Sequence, residues 1–328
     1  MGSRRGKTEK GWSWERALCG VIPPMISPLT ASGEPDEAAI RKLVGHTLGG
    51  GCSGLFVLGG CGEGAWLTTT QRGIVIRAAV RAVAGRVPIL VGLMLPTTGP
   101  AADAARQAAD EGADALVVGS PYYYPVDAGI QERHVEAVLK AVSLPALLYN
   151  IPQCTHHALV PATVARLAGD ERILGIKDSA GNFEVFQQFL ALKCSRPTFM
   201  VLQGDESLAA ASLLQGGDGL VPGMSNFAPQ LFVALHQAAR KGDVATCVEL
   251  QNTITDLATL HSHGHWLPAL KAACALIGLG NGHPSPPLAR ASEEHRQAIE
   301  SILRRHQLLP RHRSPGLCKR HSRHSSGA

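Results

Sequence analysis

The residue with the sharpest chemical meaning is Lys177, at the end of the apolar run Ile173-Leu174-Gly175-Ile176 and directly before a small-polar turn of Asp178, Ser179, Gly181 and Asn182. Such a run reads as a strand buried on both faces. Burial there favours the neutral amine and lowers its pKa, which a Schiff-base nucleophile needs near neutrality. A plain alternative is that the ammonium snorkels to the surface at the strand end. Three further groups stand at the ends of other apolar runs: the turn 59–63 (Gly-Gly-Cys-Gly-Glu), the tyrosines Tyr122, Tyr123 and Tyr124, and Tyr149. A nucleophilic amine, phenols able to move protons and a glycine-rich nest of backbone N–H donors make one set. It suits carbinolamine and imine chemistry on a 2-keto acid: the lysine adds to the ketone, a phenol shuttles protons, and backbone donors hold the carboxylate.

These groups must be brought together by the elements that carry them. Strand patterns are read at 18–25, 54–58, 87–92, 113–118, 145–150, 173–177, 198–203 and 218–221. Helical patterns alternate with them at 36–48 (with Asp36 as N-cap), 70–84, 101–111, 128–142, 161–168, 183–192, 207–215 and 227–241. Eight βα units with near-continuous apolar strands predict an α/β fold of the closed (β/α)8 TIM-barrel type, whose site forms at the C-terminal mouth of the strands. An open doubly wound sheet competes with it, but Gly62-Glu63-Gly64 is followed by Ala65 and no G-x-G-x-x-G turn follows the first strand. Helical patterns at 244–260, 266–279 and 292–306 predict a C-terminal helical extension. The expected organisation is a disordered N-terminal extension over 1–17, a barrel over 18–242, a helical region over 243–309 and a disordered basic tail over 310–328.

Composition narrows the class. The 328 residues are 45% hydrophobic and 17% charged, enough for a large core. No apolar run is long enough for a bilayer, and the basic start lacks the apolar segment of a secretory signal. The eight cysteines include no C-x-x-C pair, so they read as reduced thiols, and a cytoplasmic location is expected. Five of the 31 basic residues lie in 311–328, leaving a body with 26 basic and 26 acidic residues. That balance argues against a nucleic-acid surface; only the tail offers one, as a salt-sensitive contact.

The markers Gly-Gly-Cys-Gly-Glu at 59–63, Pro-Tyr-Tyr at 121–123, Tyr-Asn-Ile-Pro at 149–152, Gly-Ile-Lys-Asp at 175–178 and Gly-Asp-Glu at 204–206 occur in order. On these the chain resembles the dihydrodipicolinate synthase / N-acetylneuraminate lyase family of pyruvate-dependent class I aldolases. The resemblance implies a barrel with C-terminal helices, assembled as a homo-oligomer, usually a tetramer. It implies that Lys177 forms the Schiff base, Tyr149 shuttles protons over the imine, and Tyr123 reaches a neighbouring subunit's site. Substrate contacts are expected at Gly60, Cys61, Cys154 and Val221, with no cofactor and no metal.

Three departures shape the expected function. The family's turn usually carries Thr-Thr or a Ser/Thr variant where this chain has Gly60 and Cys61, so the hydroxyl linking Tyr149 to Tyr123 is missing, although the backbone donors are retained. Cys154 stands where dihydrodipicolinate synthases have an arginine that grips the carboxylate of the aldehyde substrate by forked hydrogen bonds. Condensation with aspartate semialdehyde is therefore not expected. His156 follows Thr155 where glycine is common, so the loop for the second substrate is rebuilt. The leading expectation is a Schiff-base lyase or aldolase acting on pyruvate or a related 2-keto acid with an aldehyde-type partner. The alternative is a weakened 2-keto-acid binder lacking the hydroxyl relay. Elsewhere, His261, His263 and His265 suit a polar connector better than a metal site. Cys61 reads as inert rather than reactive, Glu63 as a structural acceptor, and Asp178 and Asn182 as turn-shaping residues.

Overall fold

The computed structural model describes residues 11–309. Seven parallel strands form one sheet in sequential order: β1 (Leu55–Val57), β2 (Ile89–Gly92), β3 (Ala115–Gly119), β4 (Ala146–Asn150), β5 (Ile173–Asp178), β6 (Met200–Gln203) and β7 (Gly219–Leu220). Every strand residue is buried, which is why the sequence shows apolar runs rather than polar alternation.

The expected first strand over 18–25 does not form as such. Its start is taken by a short helix, Trp14–Leu18, whose N-cap Ser13 accepts from Arg16 N–H, so order begins before residue 18. The rest lies between β7 and β1 through isolated parallel bridges, Val21 with Leu220 and Pro24 with Phe56. Ile22 N–H donates to Leu220 O at 2.9 Å and Met25 N–H to Phe56 O at 2.8 Å. Pro23 and Pro24 have no N–H to give, so a continuous ladder cannot run here. The stretch nevertheless bonds to both end strands, and the sheet curls into a TIM-barrel-like α/β fold.

Strand alternation sorts the core into two layers. Ile22, Phe56, Leu90, Val117, Leu147 and Tyr149 pack together inside the curled sheet. Leu55, Val57, Val91, Leu116, Leu148 and Ile176 face outward into the larger cluster under the helices. Each fully buried side chain of this kind contributes about 1.5–3 kcal/mol.

The surrounding helices begin where the sequence supplies capping side chains. Asp36, Asp127 and Asn182 accept from the backbone of Glu37–Gly49, Ala128–Ala141 and Phe183–Ala191. Thr68 and Gln71 form a reciprocal capping box for Thr69–Val83. Such caps contribute about 0.5–2 kcal/mol each. A four-residue helix at Pro152–Thr155, not foreseen from the sequence, follows β4. Three helices succeed the last strand–helix unit: Val244–Ala258, Trp266–Leu276 and Glu293–Arg305. Among the described residues no helix is long and apolar enough to cross a membrane. The expectations for 1–10 and for the basic tail at 310–328 lie outside the described residues.

Candidate active site

β4 and β5 are paired in a register that sets Tyr149 directly beside Lys177. Both side chains point into the barrel, and each residue is only 4% exposed. Lys177 Nζ donates to Tyr149 Oη at 3.0 Å. The nitrogen lies 4.1 Å from the Tyr149 ring centroid and 5.0 Å from that of Phe56. Those ring faces favour a cation, but burial dominates and lowers the lysine pKa to about 8, while Cys61, Cys154 and Glu206 pull it back upward. Burial raises Tyr149 well above the ordinary phenol range, and the polar Ser179 side chain opposes that rise. The amine is thus close to half neutral in mildly alkaline solution, with a protonated phenol as its neighbour.

Gly204, beside the end of β6, makes room for this arrangement. A Cβ there would overlap Ser179 Oγ and stand 2.8 Å from Lys177 Cε. Asp178 is turned away from the chemistry. Its Oδ1 accepts from Asn150 Nδ2 at 2.8 Å and from Ala180 N–H at 3.2 Å, and Asn182 caps the next helix, so both residues shape the turn.

The turn after β1 forms the facing wall. Leu58 and Glu63 both adopt left-handed backbone angles, φ 60° and 56°. Among the described residues the N–H groups of Gly60 and Gly62 donate to no backbone acceptor. Open space surrounds the position where a Gly60 Cβ would stand. The Cys61 thiol is pushed up to about 12 by burial, against the pull of Lys177, which fits an inert group. Glu63 is held as a structural acceptor: its carboxylate takes the Ser285 N–H and forms an ion pair with Lys271 of the helix Trp266–Leu276. Lys271 Nζ also donates to His283 O at 2.7 Å.

A cavity of about 330 Å³ opens over the ends of β1–β4, lined by Gly60, Tyr122 and Cys154 among others. Cys154 is exposed there, on the short helix that His156 ends with φ 61°. Lys177 lies deeper than this lining, with Val221 and Phe56 around a narrow gap too small to hold a water. Val221 is therefore packed in the barrel interior, 3% exposed, and does not line the open cavity. Tyr123 is 80% exposed and stands edge-on to Tyr124, with ring centroids 5.0 Å apart; Tyr122 is the tyrosine of this trio that lines the cavity. The structure thus brings Lys177, Tyr149, Gly60, Cys61 and Cys154 around one region and sets Tyr123 on the surface of the chain.

The three connector histidines do different things. His265 Nδ1 accepts from Leu267 N–H at 3.2 Å, His261 Nε2 lies 3.7 Å from Glu206 Oε2, and His263 approaches the His295 ring at 6.4 Å. Ser179 and Glu206 enter the sequence reading only as part of a turn and of a marker run, and Lys271 does not enter it. Period-two alternation from Lys177 puts residue 179 on the same side, and a lone lysine within Trp266–Leu276 signals a buried partner.

The sequence profile of the Dihydrodipicolinate synthetase family matches residues 17–306. The chain is 34% identical over 299 residues to a protein of Escherichia coli K12 named probable 2-dehydro-3-deoxy-D-pentonate aldolase YjhH, covering 90% of this chain and 99% of that one. It is 38% identical over 277 residues to 4-hydroxy-tetrahydrodipicolinate synthase of Xylella fastidiosa, covering 83% and 89%. Among solved structures, E. coli K12 YagE in complex with pyruvate superposes with TM-score 0.85 at 32% identity, covering 88% of this chain and 99% of that chain.

Proposed function

From the premise that the chain belongs to the dihydrodipicolinate synthetase family, a family of carbon–carbon lyases and aldolases, we propose that it joins or cleaves a 2-keto acid and an aldehyde through a Schiff base on Lys177. The observation that carries this reading is the buried Lys177–Tyr149 pair, 3.0 Å apart, with the lysine pKa brought down to about 8. The neutral amine attacks C2 of pyruvate or a related 2-keto acid. Tyr149 passes the protons that turn the ketone oxygen of the carbinolamine into departing water. The N–H groups of the 59–63 turn hold the substrate carboxylate. Loss of a C3 proton gives the enamine, whose carbon attacks the aldehyde; hydrolysis of the imine then returns the amine. Cleavage runs the same steps backward. No metal or cofactor enters this sequence.

Cys154 on the cavity rim brings no forked cation, so aspartate semialdehyde is a poor partner. The relatives named for 2-dehydro-3-deoxy sugar acids support aldol cleavage of a 2-keto acid as the reaction class. The reading includes a homo-oligomer, a dimer or tetramer, in which the exposed Tyr123 reaches a neighbouring subunit's site, and a cytoplasmic location. The alternative, a weakened keto-acid binder, draws on the absence of hydroxyls at Gly60 and Cys61. Borohydride reduction with pyruvate separates the possibilities. The proposed enzyme gives a covalent adduct lost in Lys177→Ala, and turns over with an aldehyde; a binder gives retention of pyruvate without turnover. No adduct with any of a panel of 2-keto acids refutes the Schiff-base chemistry.

A further inference from the structure

We infer that the second substrate is an aromatic aldehyde, held in the cavity above Gly60 and Cys154; this rests on the 2-keto-acid reading above. The cavity is walled by Trp66, Met94, Tyr122, Ile151, Trp266 and Leu267. Trp66 and Trp266 remain 48% and 39% exposed, unusually large apolar surfaces to leave uncovered at the rim of a site. At about 330 Å³ the space falls at the small end of the roughly 300–1,000 Å³ typical of ligand pockets, enough for a single-ring compound.

Ser120, Thr155, Glu63 and one ring nitrogen of His265, polar groups of this cavity, are already engaged with the protein. Ser120 Oγ donates to Pro121 O at 3.1 Å and accepts from Gln131 Nε2 at 3.1 Å. Thr155 Oγ1 is within 3.1 Å of Ile151 O and 3.0 Å of His157 O. Glu63 is paired with Lys271, and His265 Nδ1 accepts from Leu267 N–H. A polyhydroxy aldehyde would exchange hydrogen bonds with water for a wall that offers few in return, a loss that a pocket built for hydroxyls avoids. An anionic aldehyde finds no arginine or lysine in the lining. A flat ring, by contrast, meets two indoles and a phenol, which bind ring faces and edges, and it brings little side-chain entropy to lose.

The chemistry balances without any further reactant. C3 of the Lys177-bound enamine forms the new bond to the aldehyde carbon, the aldehyde oxygen takes a proton, and water releases a 4-aryl-4-hydroxy-2-keto acid. Nothing is oxidised or reduced.

The test begins by trapping the wild-type enzyme with pyruvate and borohydride, then measures aldol product from pyruvate with benzaldehyde, glycolaldehyde, glyceraldehyde and aspartate semialdehyde. The expected result is a kcat/KM for benzaldehyde at least tenfold above each of the others. Trp66→Ala or Trp266→Ala should raise the benzaldehyde KM about tenfold, with the pyruvate KM moving less than twofold. If the pyruvate adduct forms but a hydroxyaldehyde or the semialdehyde is preferred, or benzaldehyde gives no product, the aromatic assignment fails and the keto-acid reading stands. If no adduct forms, both fall. If the tryptophan variants change the oligomer mass and leave the benzaldehyde KM alone, the rim is a subunit contact and the assignment is overturned.

Discussion

Replacing Lys271 by methionine removes a buried cation while keeping the length of the side chain. The side chains of Lys271 and Glu63 are 1% and 0% exposed, and burial pulls the lysine pKa down against the upward pull of Glu63. With the lysine gone, the Glu63 carboxylate keeps only the Ser285 N–H, and the His283 carbonyl loses its donor. Breaking a buried pair from one side costs about 3–5 kcal/mol, because the remaining charge is left uncompensated. Set against a total stability of about 5–15 kcal/mol, that is a large fraction. At about 2–4 °C per kcal/mol for larger domains, the melting temperature should fall by roughly 6–20 °C.

The second half of the cycle decides the cause. Glu63→Gln in the Lys271→Met background removes the stranded charge, and the amide oxygen can still accept from Ser285 N–H. The double variant should recover more than half of the loss in urea midpoint at unchanged m-value. Because Glu63 ends the turn that faces Lys177, the single variant should also raise the pyruvate KM more than it lowers the yield of borohydride adduct at saturating pyruvate. A cost below about 1 kcal/mol for Lys271→Met, or a double variant no more stable than the single one, would refute an uncompensated buried charge as the reason.

Adduct formation with pyruvate should rise with pH around a midpoint of about 8, the neutral amine growing from about a tenth at pH 7, and a rate flat from pH 6 to 9 would contradict it. The same depressed pKa makes the charged lysine a liability. Between about 8 and the ordinary 10.5 the unfolded chain holds more protons, so stability rises with pH through that window; Lys177→Met should accordingly stabilise the inactive protein by on the order of 3 kcal/mol at pH 6–7, and by little above pH 10.5 in chemical denaturation. Ser179→Ala should lower kcat by about 10²-fold with adduct formation retained, read by single-turnover kinetics. Gly60→Thr with Cys61→Thr should fold, since the space at Gly60 is open, and should change kcat by no more than about tenfold in the same assay. His156→Gly should raise stability by about 1 kcal/mol in thermal melts, because His156 holds φ 61° where glycine is unstrained.

Much of the fold is readable in the chain because each strand is buried on both faces and each helix announces its start. Asp36, Asp127 and Asn182 cap helices close to where the pattern placed them. Over 18–25 the prolines Pro23 and Pro24 mark the end of a strand pattern. Apolarity does not show that its start closes a helix, Trp14–Leu18, or that only isolated bridges join the rest to the sheet. In the site, Lys177 and Tyr149 were legible as polar ends of apolar strands. Their 3.0 Å contact depends on the register between β4 and β5, which no local pattern specifies. Glu63 was read as a structural acceptor, but its partner Lys271 lies far along the chain, in a helix the pattern assigned only to an extension. Val221, expected as a substrate contact, stands in the barrel interior beside Phe56 and Lys177.

The missing hydroxyls at Gly60 and Cys61 weigh less once Ser179 and Gly204 are considered together. The absence of a side chain at Gly204 leaves the space that Ser179 Oγ occupies, next to the Lys177 stem. From there the serine hydroxyl acts on Tyr149, the phenol that meets the amine, and opposes the rise of its pKa. A hydroxyl carried by the residue two places beyond the lysine moves rigidly with β5 and needs no help from the turn after β1. A relay built that way would leave the turn with one duty, presenting backbone donors to a carboxylate, and glycine at 60 serves that duty at least as well as threonine. This is why the serine substitution is expected to cost more than restoring both threonines gains, and the reverse ordering would put the relay back in the turn.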